Sequence, residues 1–410
     1  MRELAPQSFV GLDIGTSTVR CVIGMVENVE GGKLSIIGHG SAPNIGMRKG
    51  VVVHVSDVVD AISHAVGEAE RVAGLRVNTA TVNVNGSHVL GMNSKGVIAI
   101  SAANREIDDN DRLRVEEAAT IVKLPPNREI IQVFAKNYRL DGQDNIKDPI
   151  GMTGVRLEVD THIVTASSPN VRNLDLALEK SSITPLHHTV SSLAAAEAVL
   201  NRQQKESGTV LVDIGAGTTN IVVLEDGEVQ HVAVIPIGGN HITNDLAIGL
   251  KTDLDVAEAV KLEHGDLSGH VKKMRCAVVV NKVRHEFDPE DIYMIIEARV
   301  EELFEYVDKE LKRIGRSRKL PGGAVLVGGG SKMLGLAAFA KEKLQLAARV
   351  GHLQDIGGLQ DTVEDPSFYA AVGLVILDML LAPQDSSQLS LPTDGAFKMV
   401  EGLFKRLKRK

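Results

Sequence analysis

The sequence predicts an α/β fold of two similar lobes, with a small inserted α+β subdomain and an amphipathic helix near residue 400. Three observations carry the prediction. The run Val210-Leu211-Val212-Asp213-Ile214-Gly215-Ala216-Gly217-Thr218-Thr219-Asn220 reads as an apolar strand, a glycine turn and the start of a second β-branched strand. The run Phe9-Val10-Gly11-Leu12-Asp13-Ile14-Gly15-Thr16-Ser17-Thr18-Val19 has the same order, so the chain carries the unit twice. Each copy is followed by a polar turn and a further strand, and a repeat of this length implies two matching subdomains facing each other. Third, the apolar strand 324–327 runs into Gly328-Gly329-Gly330 and Lys332.

The residue types in the two turns suit phosphate. Gly215 and Gly217 are expected to take positive φ and present backbone N–H groups to an anion. Thr218 and Thr219 add hydroxyls, as do Thr16, Ser17 and Thr18 after Gly15 in the first copy. Asp13 and Asp213, each at a strand end, suit a magnesium-bound water or a general base. One such turn alone is equally well a plain hairpin. Two facing each other would grip the phosphates of a single nucleotide.

In this order the three glycine elements resemble the two phosphate loops and the adenosine loop of the actin, sugar-kinase and heat-shock-chaperone ATPase superfamily. The resemblance implies an actin-like fold with duplicated ribonuclease-H-like subdomains and a cleft for ATP and Mg2+. It places Asp13 and Asp213 in the magnesium-water shell. Nucleotide contacts would come from Gly15, Thr16, Ser17, Thr18, Gly215, Gly217, Thr218, Thr219, Asn220, Gly239, Gly328, Gly329, Gly330 and Lys332.

Composition narrows the class. With 410 residues, 43% of them hydrophobic, the chain can bury two substantial cores. A net charge of −8 provides no basic surface for nucleic acid. Cys21 and Cys276 are too few and too far apart for a disulfide framework or a metal motif, as expected in a reducing cytoplasm. Residues 1–8 lack the features of a secretory signal. The apolar run 370–382 is too short to span a bilayer and is broken by Asp378.

Taken in order, residues 9–40 form the first strands and residues 55–74 an amphipathic helix with Val58, Ile62, Ala65 and Val66 on one face. Residues 79–84 are a buried strand. From 85 to 165 the pattern changes to a strand at 97–100, a helix at 108–122, strands at 129–134 and 138–142, and an alternating strand at 155–160. An insert here, and the segment 146–156 in particular, resembles the FtsA family of bacterial cell-division proteins. Residues 171–181 and 191–200 are helical. In the chaperone ATPases the second of these carries a carboxylate that orients the attacking water. Here Val190-Ser191-Ser192-Leu193 offers no acid before Glu197. General-base assistance is worth about 10²–10⁴-fold, so hydrolysis is expected to be slow at most.

After the second hairpin a helix begins at Gly238-Gly239, and another covers 253–265. On the latter Glu258 and Lys261 share a face. The superfamily resemblance directs them to the ribose; an exposed ion pair is the alternative. Asp288-Pro289-Glu290-Asp291 starts a helix reaching 315. Resemblance to the FtsA family makes Arg299 and Glu302 on it candidates for the C-terminal peptide of the tubulin-like FtsZ, against plain solvated charges. The segment 365–374 resembles the hinge helix of the superfamily.

Residues 383–394 are polar and read as a tether. Residues 395–410 follow. There Phe397, Val400, Leu403, Phe404 and Leu407 share one helical face, and Lys405, Arg406 and Lys408 lie opposite. Six basic residues against Glu401 give the segment a side-chain charge of +5. This is the pattern of a helix lying in an anionic membrane surface, where each basic residue contributes about 1 kcal/mol. A helix docked on its own core or on a partner protein is the alternative.

The family resemblance therefore implies an actin-like protein that polymerises with itself on the cytoplasmic face of the inner membrane at the septum, tethers FtsZ filaments and recruits downstream division proteins. Residues 1–84 and 166–188 would form subdomain 1A, 85–165 the insert 1C, 189–240 and 321–382 subdomain 2A, and 241–320 subdomain 2B. A pilus-assembly actin-like protein and a small-molecule kinase of the same superfamily are the competing readings.

Overall fold

The computed structural model describes residues 7–26, 33–101, 104–269, 275–354 and 356–382. The expected tether at 383–394 and amphipathic helix at 395–410, with Phe397, Val400, Leu403, Phe404, Leu407, Lys405, Arg406 and Lys408, lie outside the described residues.

The first lobe opens with β1 (Gln7–Ile14), β2 (Thr18–Val26), β3 (Leu34–Pro43), the short pair β4 (Met47–Arg48) and β5 (Val51–Val52), helix α1 (Val55–Ala73) and β6 (Thr79–Val84). The insert follows as β7 (Leu90–Ala99), α2 (Asp109–Ala119), β8 (Arg128–Leu140), β9 (Gln143–Ile146) and β10 (Arg156–Ser167). The chain returns through α3 (Ser168–Lys180), β11 (Thr184–Val190), α4 (Ser191–Val199) and α5 (Arg202–Ser207). The second lobe contains β12 (Thr209–Ile214), β13 (Thr219–Glu225), β14 (Glu228–Ile235), α6 (Gly239–Gly249), α7 (Leu254–His264), the hairpin β15 (Cys276–Val280) and β16 (Val283–Phe287), α8 (Pro289–Arg313), β17 (Gly323–Val327), α9 (Leu336–Leu344) and β18 (Ala348–Val350). Last come β19 (Gly357–Gly358), α10 (Gln360–Val363) and α11 (Tyr369–Leu381), which go back to the first lobe.

The repeat in sequence is a repeat in topology. The first sheet has strand order β11-β6-β1-β2-β3-β19 and the second β14-β13-β12-β17-β18. In each, the strand ending in aspartate pairs antiparallel with the next strand and parallel with a later one: β1 with β2 and β6, β12 with β13 and β17. Both faces of the second sheet are covered. Val210, Val212 and Ile214 of β12 join a core with α6 to α9, whereas Leu211 joins the core shared with the first lobe. That double burial explains an uninterrupted apolar run instead of an alternating one.

The insert forms its own sheet, ordered β7-β10-β8-β9, with α2 on one face and a small core of Ile107, Val115, Tyr138, Leu140, Leu157 and Val159. Its strands depart from expectation: β7 starts at Leu90 and not at 97, β10 runs to Ser167 and does not end at 160, and β9 is an additional strand. The two strands expected at 129–134 and 138–142 are a single strand of 13 residues, because β8 stays paired with β10 through a bulge between Asp160 and Thr161.

The late apolar run is the buried helix α11, packed on β1 and α4. Its Asp378 accepts hydrogen bonds from the Val10 N–H at 3.0 Å and the Thr81 hydroxyl at 2.7 Å, which accounts for an acid in an apolar helix. Among the described residues no helix is long and apolar enough to cross a membrane.

Candidate functional site

The ends of β1 and β12 face each other across a cleft of about 790 Å³ between the lobes. Asp13 and Asp213 stand on its floor, each 8% exposed. Asp13 Oδ1 accepts from Asn83 Nδ2 at 2.7 Å, and Asp213 Oδ2 accepts from Asn220 Nδ2 at 3.3 Å. Burial raises the pKa of Asp13 to about 6 against the opposing pull of Arg20 and Asn83. Burial, and then the charge of Asp13, raises Asp213 to about 7. Two buried carboxyls held this high form a site prepared for a cation.

The turns are built differently from expectation. Gly15, Gly215 and Gly217 are absent from the residues with positive φ. Gly15 and Gly215 instead close tight turns, donating their N–H to the carbonyls of Thr18 at 3.1 Å and Thr218 at 2.9 Å. A Cβ at residue 215 would lie 3.0 Å from that Thr218 oxygen. Gly217 is needed for a different reason. Its absent Cβ would sit 2.8 Å from Thr16 Oγ1, so the two loops touch here across the cleft. The left-handed glycine is Gly328, with φ of 81°, whose Cβ would lie 2.4 Å from Asp213 Oδ1.

Most of the expected residues converge on this cleft. Asp13, Gly15, Thr16, Ser17, Thr18, Asp213, Gly215, Thr218, Asn220, Gly239, Glu258, Lys261, Gly328, Gly329, Gly330 and Lys332 line it. Gly217 and Thr219 do not. The Thr219 hydroxyl is buried and donates to the Ile237 carbonyl at 2.8 Å, so it braces the turn. Glu258 and Lys261 combine an ion pair with a place on the cleft. They form an ion pair at 2.6 Å, with Lys261 also donating to Thr243 Oγ1 at 2.8 Å, and the pair lies on the cleft wall. Arg299 and Glu302 lie elsewhere, on α8. Arg299 pairs there with Glu302 and with Asp245 of α6, with Nη2 3.0 Å from Asp245 Oδ1.

Sequence reasoning missed Arg20 and Asn85, which line the cleft, and Asn83, which holds Asp13 from behind. Arg20 is the register partner of Asp13 on β2, and its guanidinium packs over the Phe368 ring. Asn83 accepts from the Ile14 N–H at 2.7 Å and donates to both Asp13 and Ser191. Asn85 donates to Ser191 Oγ at 3.3 Å. A signal existed for Asn83: it is a lone amide in an apolar strand. Arg20 Nε and Asn220 Oδ1 are buried without a hydrogen-bond partner, which fits a polar ligand in the cleft. Glu197, the first acid after Ser191, is tied to Lys205 Nζ at 2.7 Å and does not line the cleft.

The donor set matches magnesium better than a caged metal. Among the described residues no three His, Cys, Asp or Glu side chains cluster to hold an ion. Two carboxylates leave most of a coordination sphere to water and phosphate oxygens, which is the preference of Mg2+. The N-terminus of α6 also opens on the cleft at Gly239 and favours an anion there.

Comparison with known proteins fits this architecture. Residues 210–373 match the family model described as cell division protein FtsA, and residues 86–165 match that of the SHS2 domain inserted in FtsA. The chain is 35% identical over 391 residues to the cell division protein FtsA of Pseudomonas aeruginosa, covering 94% of this chain and 92% of that protein. It is 38% identical over 371 residues to that of Bacillus subtilis, covering 90% and 82%. Among solved structures it resembles a PilM-PilN type IV pilus biogenesis complex, with a TM-score of 0.63, 19% identity and coverage of 90% and 98%. It also resembles MreB5 of Spiroplasma citri bound to ADP, with a TM-score of 0.54, 13% identity and coverage of 91% and 96%.

Proposed function

The chain belongs to the FtsA family of cell division proteins and has an actin-like fold, and from that premise we propose that it binds ATP with Mg2+ in the interlobe cleft as a nucleotide-dependent scaffold. The observation that carries the reading is the pair of buried carboxyls, Asp13 and Asp213, between two hydroxyl-bearing turns. Bound Mg2+ would neutralise phosphate charge there. Asp13 and Asp213 would hold its water shell, and the N–H groups of the two turns with Thr16, Ser17, Thr18 and Thr218 would orient the phosphates. Arg20 would supply a fixed positive charge, and the orphaned Nε gives it a donor to spare. Gly328, Gly329, Gly330 and Lys332 would flank the nucleoside, with Glu258 and Lys261 at the ribose.

Hydrolysis would be slow. The cleft holds Ser191 and Asn85 where a water-activating acid is required, and neither is a base at neutral pH. The subdomains follow the sequence expectation, with 1A at 1–84 and 166–188, 1C at 85–165, 2A at 189–240 and 321–350 and 2B at 241–320, except that 356–382, expected in 2A, is counted to the first lobe because β19 pairs with β3 and α11 packs on β1. On this reading the segment 395–410 holds the protein to anionic lipid on the cytoplasmic face of the membrane, linked copies multiply that affinity, and subdomain 2B receives the FtsZ peptide near Arg299 and Glu302.

The test is calorimetric titration of Mg-ATP into the protein and into its Asp13→Asn and Asp213→Asn variants, followed by electron microscopy on an anionic lipid monolayer with and without FtsZ. We expect nucleotide binding that both substitutions weaken, and filaments on lipid that align FtsZ. Equal affinity in all three proteins would refute the cleft assignment. Vigorous phosphoryl transfer to a sugar or acetate would favour a kinase instead.

A further inference from the structure

Both ends of the insert, β6 to β7 and β10 to α3, are continuous with the first lobe, yet its sheet leans on the second. The contact falls on β14, the outermost strand of the second sheet, which among the described residues pairs only with β13. Such an edge exposes backbone groups that need partners. Here the Val232 N–H donates to His162 Nε2 of β10 at 3.0 Å. His162 is 1% exposed, and its Nδ1 lies 2.8 Å from Asn93 Oδ1. An accepting Nε2 puts the ring proton on Nδ1, so the neutral imidazole links β7, β10 and β14. Gly91 of β7 completes the fit, since a Cβ there would stand 2.5 Å from both the Val232 carbonyl and His162 Nε2.

The seam has further attachments. Lys147 Nζ donates to the Asp226 carbonyl at 3.1 Å at the β13–β14 turn. Phe134 and Val164 of the insert share a core with Val229 and Val232 of the second lobe. Next to Val232, the His231 ring lies 5.5 Å from that of His162 and bonds Glu310 of α8 at 2.8 Å, so the seam reaches the helical layer of the second lobe.

Among the described residues the lobes meet at the loops across the cleft, at the packing of α4, which touches β12 and β13 of the second sheet, on α11 behind it, and at this seam. Rotation that opens the cleft must slide the seam, parting His162 from Val232 and leaving buried polar groups unpaired. We infer that the inserted subdomain is a brace between the lobes, fixing the angle at which the cleft stands, and that the cleft opens only when the contact of His162 and Gly91 with Val232 slips. The inference rests on the seam and holds whatever the cleft binds.

Spin labels test it without nucleotide. The two native cysteines are buried, so labels go to Ile45→Cys in the first lobe and Ile248→Cys in the second, both exposed. Pulsed electron resonance on the full chain should give one narrow distance distribution. Gly91→Val, which wedges the seam, and His162→Ala, which removes its acceptor, should each at least double the width or shift the mean. Val97→Ala, exposed on the same sheet, should change nothing. Should Gly91→Val not fold, His162→Ala and Lys147→Ala carry the test. Wild-type distances in the seam variants that keep wild-type near-ultraviolet circular dichroism would overturn the brace.

Discussion

Gly217→Ala is the sharpest probe of the cleft, because the glycine touches the opposite lobe and does not line the cleft. The added Cβ would meet Thr16 Oγ1 at 2.8 Å, Cγ2 at 2.9 Å and Cβ at 3.1 Å. Thr16 cannot simply turn away, since its Oγ1 accepts from the Gly50 N–H at 3.0 Å. Overpacking of this kind costs about 1–3 kcal/mol, and the loosened hydrogen bond about 1 kcal/mol more. The whole cost falls on the closed arrangement, since parted loops have room for a methyl group. At 1.4 kcal/mol per factor of ten, affinity for Mg-ATP should fall roughly 30- to several-hundred-fold. Calorimetric titration measures it. Gly67→Ala is the control: it lies within α1 with nothing within 4 Å of its missing Cβ, and should leave affinity unchanged. Thr16→Ala combined with Gly217→Ala should cost less than the two singles added, because they relieve one contact. Wild-type affinity in Gly217→Ala would refute the reasoning that the touching loops close on the ligand.

Further outcomes follow from the same geometry. Asp13 and Asp213 have pKa values raised by burial to about 6 and about 7, so their neutral forms stabilise the fold below the ordinary carboxylate range, and that contribution is lost as pH rises through those values. Thermal melts of the metal-free protein should therefore show a midpoint falling between about pH 4 and about pH 7, with a slope that Asp213→Asn flattens and saturating Mg-ATP opposes. Leu403→Glu should abolish sedimentation with anionic liposomes and leave nucleotide affinity intact; undiminished sedimentation would rule out the helix as the anchor. Phosphate release should stay far below the roughly 10 s⁻¹ of a median enzyme, as a coupled phosphate assay would read.

Much of the site is legible in the chain because its parts are local. A strand, a glycine turn and a second strand within a dozen residues announce themselves, and finding the unit twice pairs them before any coordinate is known. The roles of the individual glycines are not local. Gly215 meets its own turn and Gly217 meets the other lobe, a distinction set by residues two hundred positions away. Asn83 reaches Asp13 only because β6 lies beside β1. Glu197, an acid in a suitable helix, is withdrawn by Lys205. β8 is one strand across Lys136-Asn137 because its pairing with β10 continues on both sides of the bulge.

By itself, then, the sequence determined the duplicated α/β plan, the insert, the family and most of the cleft lining, since periodicity, turn chemistry and repetition are properties of neighbouring residues. Only the tertiary structure decided the partners. Asp378 is satisfied by Thr81, 297 positions away, and His162 by Val232, 70 positions away. Hydrogen bonds and close approaches over such separations depend on where the sheets come to rest, and no local pattern encodes them.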